Sequence, residues 1–294
     1  MMNSATLPRK KIRWNFSSPD TLLSYNQVHT VCEESRCPNR FECSTQGIAT
    51  FLIGGRECTR SCRFCHIATA KPIALEKIMQ KEEADILNSV RAMQYKYLVV
   101  TSVARDDDEM LLAKHFANIT QKVRSLGVEI ELLIPDFHGR ADCLDLIAQA
   151  NPTVIAQNLE TVERLSPQVR PQASYERTLG IFDFLHDRYP HIIRKSAMML
   201  GLGETTGEVV KALDDMRAHH VDVVSVGQYL QPSENQISVA KTYTDAEFEL
   251  IESEIQNRNF LAWETGPFVR SSYMAAATMT KLKVEIERRK NEHG

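Results

Sequence analysis

Six of the seven cysteines fall between positions 32 and 65, in two triads of unlike spacing, Cys32-x4-Cys37-x5-Cys43 and Cys58-x3-Cys62-x2-Cys65. Disulfides would staple such a segment only in an oxidising compartment, and the chain shows no secretory signal that would take it there. Zinc sites usually pair two CxxC knuckles, and only Cys62 and Cys65 have that spacing. Iron–sulfur clusters, held by soft thiolates on a tight loop, use both triads. Three ligands per cluster leave one iron open. An open metal position is a chemical one, by the logic that separates catalytic from structural zinc, whereas an electron carrier normally closes its cluster with four cysteines. The seventh cysteine, Cys143, falls on the apolar side of a helical pattern and reads as a core thiol. His66 follows the second triad and is expected to pack beside a cluster rather than to ligate it.

Those loops need a scaffold. The chain has 294 residues and 43% hydrophobic composition, enough for one catalytic domain with short extensions. A formal charge of −3 gives no positive field for nucleic acid. No apolar run approaches the ~20 residues of a membrane span, so a cytoplasmic location is expected. Arg9, Lys10, Lys11 and Arg13 form a short basic stretch, read as a solvated arm rather than a transit peptide.

After the cysteines, β-rich apolar runs at 50–53, 97–102, 128–134, 153–158, 192–199 and 221–226 alternate with helical patterns at 82–93, 111–126, 141–150, 175–187 and 207–219. That order predicts an α/β fold, a partial (β/α)6 TIM-like barrel. Ligands of such barrels sit where strand-to-helix loops converge. Thr101, Ser102, Asn158, Glu160 and Lys195 are the polar residues expected at those edges, with helix capping as the blander role for each. The turn from Gly201 to Thr206 lacks the rest of a phosphate motif and is expected to cap a helix at Thr205 or Thr206, its amides still free to meet a cofactor. The acidic run from Asp106 to Glu109 is likewise expected to cap the next helix rather than bind metal. Residues 288–294 are polar and expected to fray.

The segment Cys58-Thr59-Arg60-Ser61-Cys62-Arg63-Phe64-Cys65, with its aromatic before the last cysteine, resembles the radical S-adenosylmethionine superfamily. There the open iron is chelated by S-adenosylmethionine, and one electron from the cluster releases a 5′-deoxyadenosyl radical. The first triad, in Val31-Cys32-Glu33-Glu34-Ser35-Arg36-Cys37-Pro38-Asn39-Arg40-Phe41-Glu42-Cys43, closely resembles the lipoyl synthase family. So do Pro135-Asp136-Phe137, Asn158-Leu159-Glu160, Met199-Leu200-Gly201-Leu202-Gly203-Glu204 and Arg270-Ser271-Ser272-Tyr273, with the likeness running from about residue 28 to 275.

The resemblance implies two 4Fe–4S clusters and S-adenosyl-L-methionine as cofactors. Cys58, Cys62 and Cys65 would hold the radical cluster; Cys32, Cys37, Cys43 and Ser272 would hold an auxiliary one. Without the resemblance, Ser272 would read as part of a helix cap. The implied reaction inserts two sulfurs, taken from the auxiliary cluster, at C6 and C8 of an octanoyl chain carried on a protein lysine. Its implied partners are octanoylated lipoyl carrier domains (E2 subunits of 2-oxoacid dehydrogenases and the glycine cleavage H protein), a low-potential donor such as ferredoxin or flavodoxin, and cluster-assembly proteins. The expected organisation is an N-terminal extension at 1–48, a core at 49–258 and a C-terminal extension at 259–294. Another radical sulfur-inserting enzyme, or a non-enzymatic iron–sulfur or zinc module, stays as the alternative. The sequence departs from the family at Ala104, where Asp is common, at Gln157, where His is common, and over Asn235-Gln236-Ile237-Ser238-Val239.

Overall fold

The computed structural model describes residues 29–34, 37, 39, 50–273 and 275–292, with the side chains of all but 32, 33 and 289–292. Cys43 and the N-terminal basic stretch lie outside the described residues. One all-parallel sheet runs in chain order: β1 (Thr50–Ile53), β2 (Tyr97–Ser102), β3 (Glu129–Leu133), β4 (Val154–Ala156), β5 (Ile193–Leu200), β6 (Val223–Gln228) and β7 (Ala262–Gly266). A short helix α1 (Val31–Glu34) precedes it. The crossovers carry α2 (Met79–Met93), α3 (Glu109–Arg124), α4 (Ala141–Gln149), α5 (Ser166–Val169), α6 (Tyr175–Arg188), α7 (Thr206–Ala218) and α8 (Asp245–Gln256), and α9 (Ala275–Glu292) follows the last strand.

The six expected strands are present, and the structure adds a seventh. β7 pairs with β6 from Val223↔Ala262 to Gly227↔Gly266. Its sequence, Ala-Trp-Glu-Thr-Gly, carries a carboxylate and a terminal glycine, so it lacks the apolar run of a strand buried on both faces. Helix α9 continues to Glu292, well into the tail expected to fray, with Arg288 paired to Glu285 on its surface.

Side chains alternate across the sheet. Phe51, Ile53, Leu98, Val100, Ile130 and Leu132 face outward and share a core with Ile86 of α2, Phe116 of α3 and Ile147 of α4. The opposite face presents Tyr97, Val99, Val154, Val223 and Ala262, mostly first residues of their strands, to Ala275, Met279 and Leu282 of α9. That i, i+4, i+7 stripe plugs the inner side at the amino ends of the strands. Beside the plug, Lys195 Nζ donates to both oxygens of Glu131 at 2.9 and 3.1 Å, and the Tyr97 hydroxyl donates to Glu131 at 2.7 Å. All three are buried, and each charge has its partner, which a dry interior requires. With the amino end closed, the carboxyl end is left for loops.

The helix starts obey local chemistry. Thr205 caps α7 and Thr244 caps α8, each in a reciprocal box with a glutamate three residues on. Asp108 accepts from the Leu111 amide and caps α3. Among the described residues, no helix is long and apolar enough to cross a membrane.

Candidate iron–sulfur site

Strand β1 ends in Gly54 and Gly55, at φ 81° and 89°, a left-handed turn that only glycine makes without strain. Their amides donate to the Glu82 carboxylate at 3.0 and 2.9 Å, so α2 fixes the direction in which the chain leaves the strand. The loop that follows carries the second triad and is tied to three neighbouring loops. The Thr59 amide donates to Ala104 O after β2 at 3.1 Å, the Arg63 amide to Val169 O at 2.8 Å, and Ile237 N, beyond β6, donates to Arg63 O at 2.9 Å. Gln236 Nε2 donates to Cys65 O at 3.1 Å.

Arg60, inside the triad, is the deepest of these ties. It is 6% exposed, and its guanidinium pairs with Asp106 after β2 and Asp136 after β3, both at 2.7 Å. Asp136 is fully buried and also takes Arg177 at 2.9 Å. Burial alone would raise the Asp136 carboxyl, but the hydrogen bonds and charge of Arg60 and Arg177 hold it below the ordinary carboxylate value. A carboxyl depressed in the folded state adds stability above its unfolded value, ~4, and loses it as pH falls through the lower folded value. Asp136→Asn is therefore expected to cost about 1–3 kcal/mol near neutral pH, because it takes one of two carboxylates from the buried Arg60 guanidinium and leaves it Asp106. In denaturant unfolding, the gap from the parent protein should be constant above about pH 5 and close in acid.

Cys58, Cys62 and Cys65 are free and half-buried. Burial, with the neighbouring Cys65 and Glu160, pushes the Cys62 thiol up to about 12, and burial pushes Cys65 to about 11. Thiolates here need a metal charge to exist at neutral pH. A single tetrahedral zinc would draw three sulfurs to within about 4 Å of one another. Among the described residues, the triad is not a group whose ligand atoms all lie within 4.8 Å. A cavity of about 420 Å³ opens beside Cys62 and Cys65, walled on its far side by Ser233, Asn235 and Gln236.

The other expected site residues divide. Ser102 ends β2 with its hydroxyl buried and without a hydrogen-bond partner among the described residues. Thr101 is instead satisfied, donating to Leu133 O at 2.9 Å. Asn158 and Glu160 stand together beyond β4, with Asn158 Nδ2 donating to Glu160 Oε1 at 3.0 Å and Glu160 held at φ 66°. Lys195 is not at the carboxyl edge: it is the third residue of β5 and its charge is spent on Glu131 near the opposite end. The acidic run also divides, since Asp108 caps the helix while Asp106 takes Arg60 and Asp107 takes Arg105. The amides of Gly201 and Leu202 are not free for a cofactor, because both donate to Glu204 at 2.6 and 2.9 Å. His66 packs with Nδ1 3.3 Å from Glu34 O, and Cys143 is fully buried, as expected of each.

Cys37 and Asn39 approach the far end of the chain. Asn39 Nδ2 donates to Phe268 O at 2.5 Å, across 229 residues of sequence. Cys37 is half-buried and lies close enough to Arg270 to oppose the burial that lowers the guanidinium's pKa. The segment carrying Arg270 and Ser272 is pressed onto β6, where a Cβ on Gly227 would sit 2.0 Å from Val269 O. No other residue fits at that position.

Comparison with known proteins follows this geometry. The Radical SAM superfamily model matches residues 52–245. Lipoyl synthase of Parabacteroides distasonis is 41% identical over 88% of this chain and 92% of the relative. That of Chlorobaculum parvum is 42% identical over 94% and 97%. The chain belongs to the lipoyl synthase family. Its sheet matches Streptococcus suis SuiB bound to S-adenosylmethionine, with a TM-score of 0.58 at 12% identity over 77% of this chain, which spans about half (52%) of that protein. Methylornithine synthase matches with a TM-score of 0.54 at 16% identity over 72% of this chain and 62% of that protein. At these identities the likeness shows the fold alone, the open parallel α/β barrel. As a lipoyl synthase, the protein is a radical S-adenosylmethionine sulfurtransferase that uses an iron–sulfur cluster and S-adenosylmethionine.

The departures from the lipoyl synthase pattern become legible on this frame. Ala104 contributes its carbonyl to Thr59, a role indifferent to side chain. Gln236 supplies a tether to Cys65 from the altered β6 loop, and Ser233 and Gln231 hold Gln236 in turn. Gln157 leaves its side-chain oxygen buried without a partner, and nothing in the structure explains the choice. Sequence reasoning missed Arg60, although an arginine inside the triad with aspartates ending two adjacent strands was the available signal.

Proposed function

We propose that the protein inserts sulfur at C6 and C8 of an octanoyl chain attached to a lysine of a lipoyl carrier domain. Cys58, Cys62 and Cys65 hold the radical 4Fe–4S cluster, and Cys32, Cys37, Cys43 and Ser272 hold a second 4Fe–4S cluster that is spent as sulfur donor. The contact of Asn39 with Phe268 supports this reading, because it joins a residue from between Cys37 and Cys43 in sequence to the segment just before the terminal motif. Three cysteines at CxxxCxxC spacing on one loop, one ligand short of closing a cluster, support an open-iron site.

S-adenosylmethionine bound at the open iron supplies, on one-electron reduction, a deoxyadenosyl radical able to take hydrogen atoms from methylene and methyl groups that no general base can deprotonate. The chain's own residues place and shield that chemistry. Arg60 and Gln236 hold the cluster loop, Ser102, Asn158 and Glu160 offer polar contacts to the cofactor, and α9 with the Tyr97–Glu131–Lys195 group closes the opposite end to water.

Carrier domains of 2-oxoacid dehydrogenase E2 subunits and the glycine cleavage H protein are the proposed substrates. Ferredoxin or flavodoxin is the proposed reductant, and cluster-assembly proteins rebuild the donor. A reducing cytoplasm is the proposed location, which suits the free thiols among the described cysteines. Incubating an octanoylated carrier domain with reconstituted protein, dithionite and S-adenosylmethionine should add the mass of two sulfur atoms to the carrier. Deoxyadenosine formed without thiolation of any such domain would overturn the substrate assignment.

A further inference from the structure

The terminal motif carries two adjacent serines, and only Ser272 has a place in the reaction so far. Ser271 Oγ donates to Asn158 Oδ1 at 2.9 Å, across 113 residues of sequence. The same Asn158 amide donates through Nδ2 to Glu160 Oε1 at 3.0 Å. Both ends of one planar amide are thus engaged, so the direction of Asn158 follows from its two partners. The backbone beneath is clamped as well. Arg170 Nη1 donates to Asn158 O and Leu159 O at 2.6 and 2.9 Å, the Glu160 amide donates to Ala197 O at 2.9 Å, and Met199 N donates to Glu160 O at 2.8 Å. Glu160 is near enough for its charge to raise the Cys62 and Cys65 thiols. A continuous hydrogen-bonded chain therefore runs from the residue next to Ser272 to a carboxylate near the radical triad.

We infer that Ser271 is a positioning residue for the S-adenosylmethionine site, through Asn158 and Glu160, and that it couples occupancy of that site to the terminal segment bearing Ser272. The inference rests on the function proposed above. Its physical content is a shared rigid element. The Glu160 carboxylate only accepts, so it takes Nδ2, and Ser271 holds the Oδ1 end of the same amide. Without Ser271, Oδ1 is unpaired, the amide is held at one end only, and the carboxylate is less firmly oriented. Coupling of this kind is reciprocal, so cofactor binding must also steady the terminal segment.

The test uses reconstituted full-length protein and its Ser271→Ala and Ser271→Thr variants. Equilibrium dialysis with S-adenosylmethionine should show affinity about tenfold weaker for Ser271→Ala and near the parent for Ser271→Thr, which keeps the hydroxyl. Iron and sulfide content and thermal unfolding should be unchanged in both. Hydrogen exchange in peptides covering 266–273 should slow when S-adenosylmethionine is added to the parent and not when it is added to Ser271→Ala. Unchanged affinity in Ser271→Ala would overturn the inference, as would loss of half its iron, which would make Ser271 part of the auxiliary site. A parent protein that holds its clusters and binds no S-adenosylmethionine would instead overturn the proposed function.

Discussion

Replacing Cys62 by Ala should abolish formation of 5′-deoxyadenosine, by a factor on the order of a thousand or more, and should remove about half of the bound iron. Cys62 is the middle cysteine of a triad whose loop is already fixed at four points by Thr59, Arg63, Cys65 and Arg60. A loop held so firmly cannot bring another sulfur into the vacated position, and Cys143 is fully buried elsewhere in the core. The nearby Glu160 is no substitute, because a carboxylate is a hard ligand and its oxygen is engaged by Asn158. Chromatographic assay of deoxyadenosine, with iron and sulfide per chain, reads both effects. Deoxyadenosine within tenfold of the parent would remove the second triad from radical generation. Cys62→Ser keeps a weak donor and should retain iron better than Cys62→Ala without recovering the rate.

Ligand spacing and strand alternation were legible in the sequence because both are local. The cysteine spacings survive in the loop, and runs such as Tyr-Leu-Val-Val-Thr-Ser at β2 declare a strand buried on both faces. What was not legible depends on partners far away in sequence. Strand β7 reads as polar because Glu264 faces the inner side and is satisfied by Lys281 and Thr278 of α9, which no local pattern announces. Lys195 looked like an edge residue beside a site, but position along a strand decides its role. Three residues into β5 it meets Glu131 and closes the floor. Arg60 looked like filler between cysteines until β2 and β3 brought Asp106 and Asp136 to it. The link from Ser271 to Asn158 belongs to the same class, a contact set by how the chain's end returns to the middle of the sheet.

Changing Ser272 to Ala should separate the two reactions that the motif joins. In the reading proposed above, radical generation rests on the second triad, and the hydroxyl contact of Ser271 with Asn158 does not involve its neighbour, so deoxyadenosine should form at close to the parent rate. Sulfur insertion should fall about a hundredfold or more, because a donor cluster left with three cysteines loses the ligand that fixes its fourth iron. In the function proposed above, Ser272 would be a hard alkoxide donor in a thiolate set, bound only where iron lowers its pKa, and so the place where the donor cluster would open. Ser272→Cys then gives the decisive comparison. A soft fourth thiolate should hold the iron at least as well as the parent, so its iron and sulfide content should match or exceed it, while sulfur transfer stays slow because the cluster no longer opens there. If ease of opening is what the serine provides, the alanine and cysteine variants will fail for opposite reasons, one with too little iron and the other with iron that does not leave. Parent-level thiolation in both would mean that the donor cluster is held without Ser272.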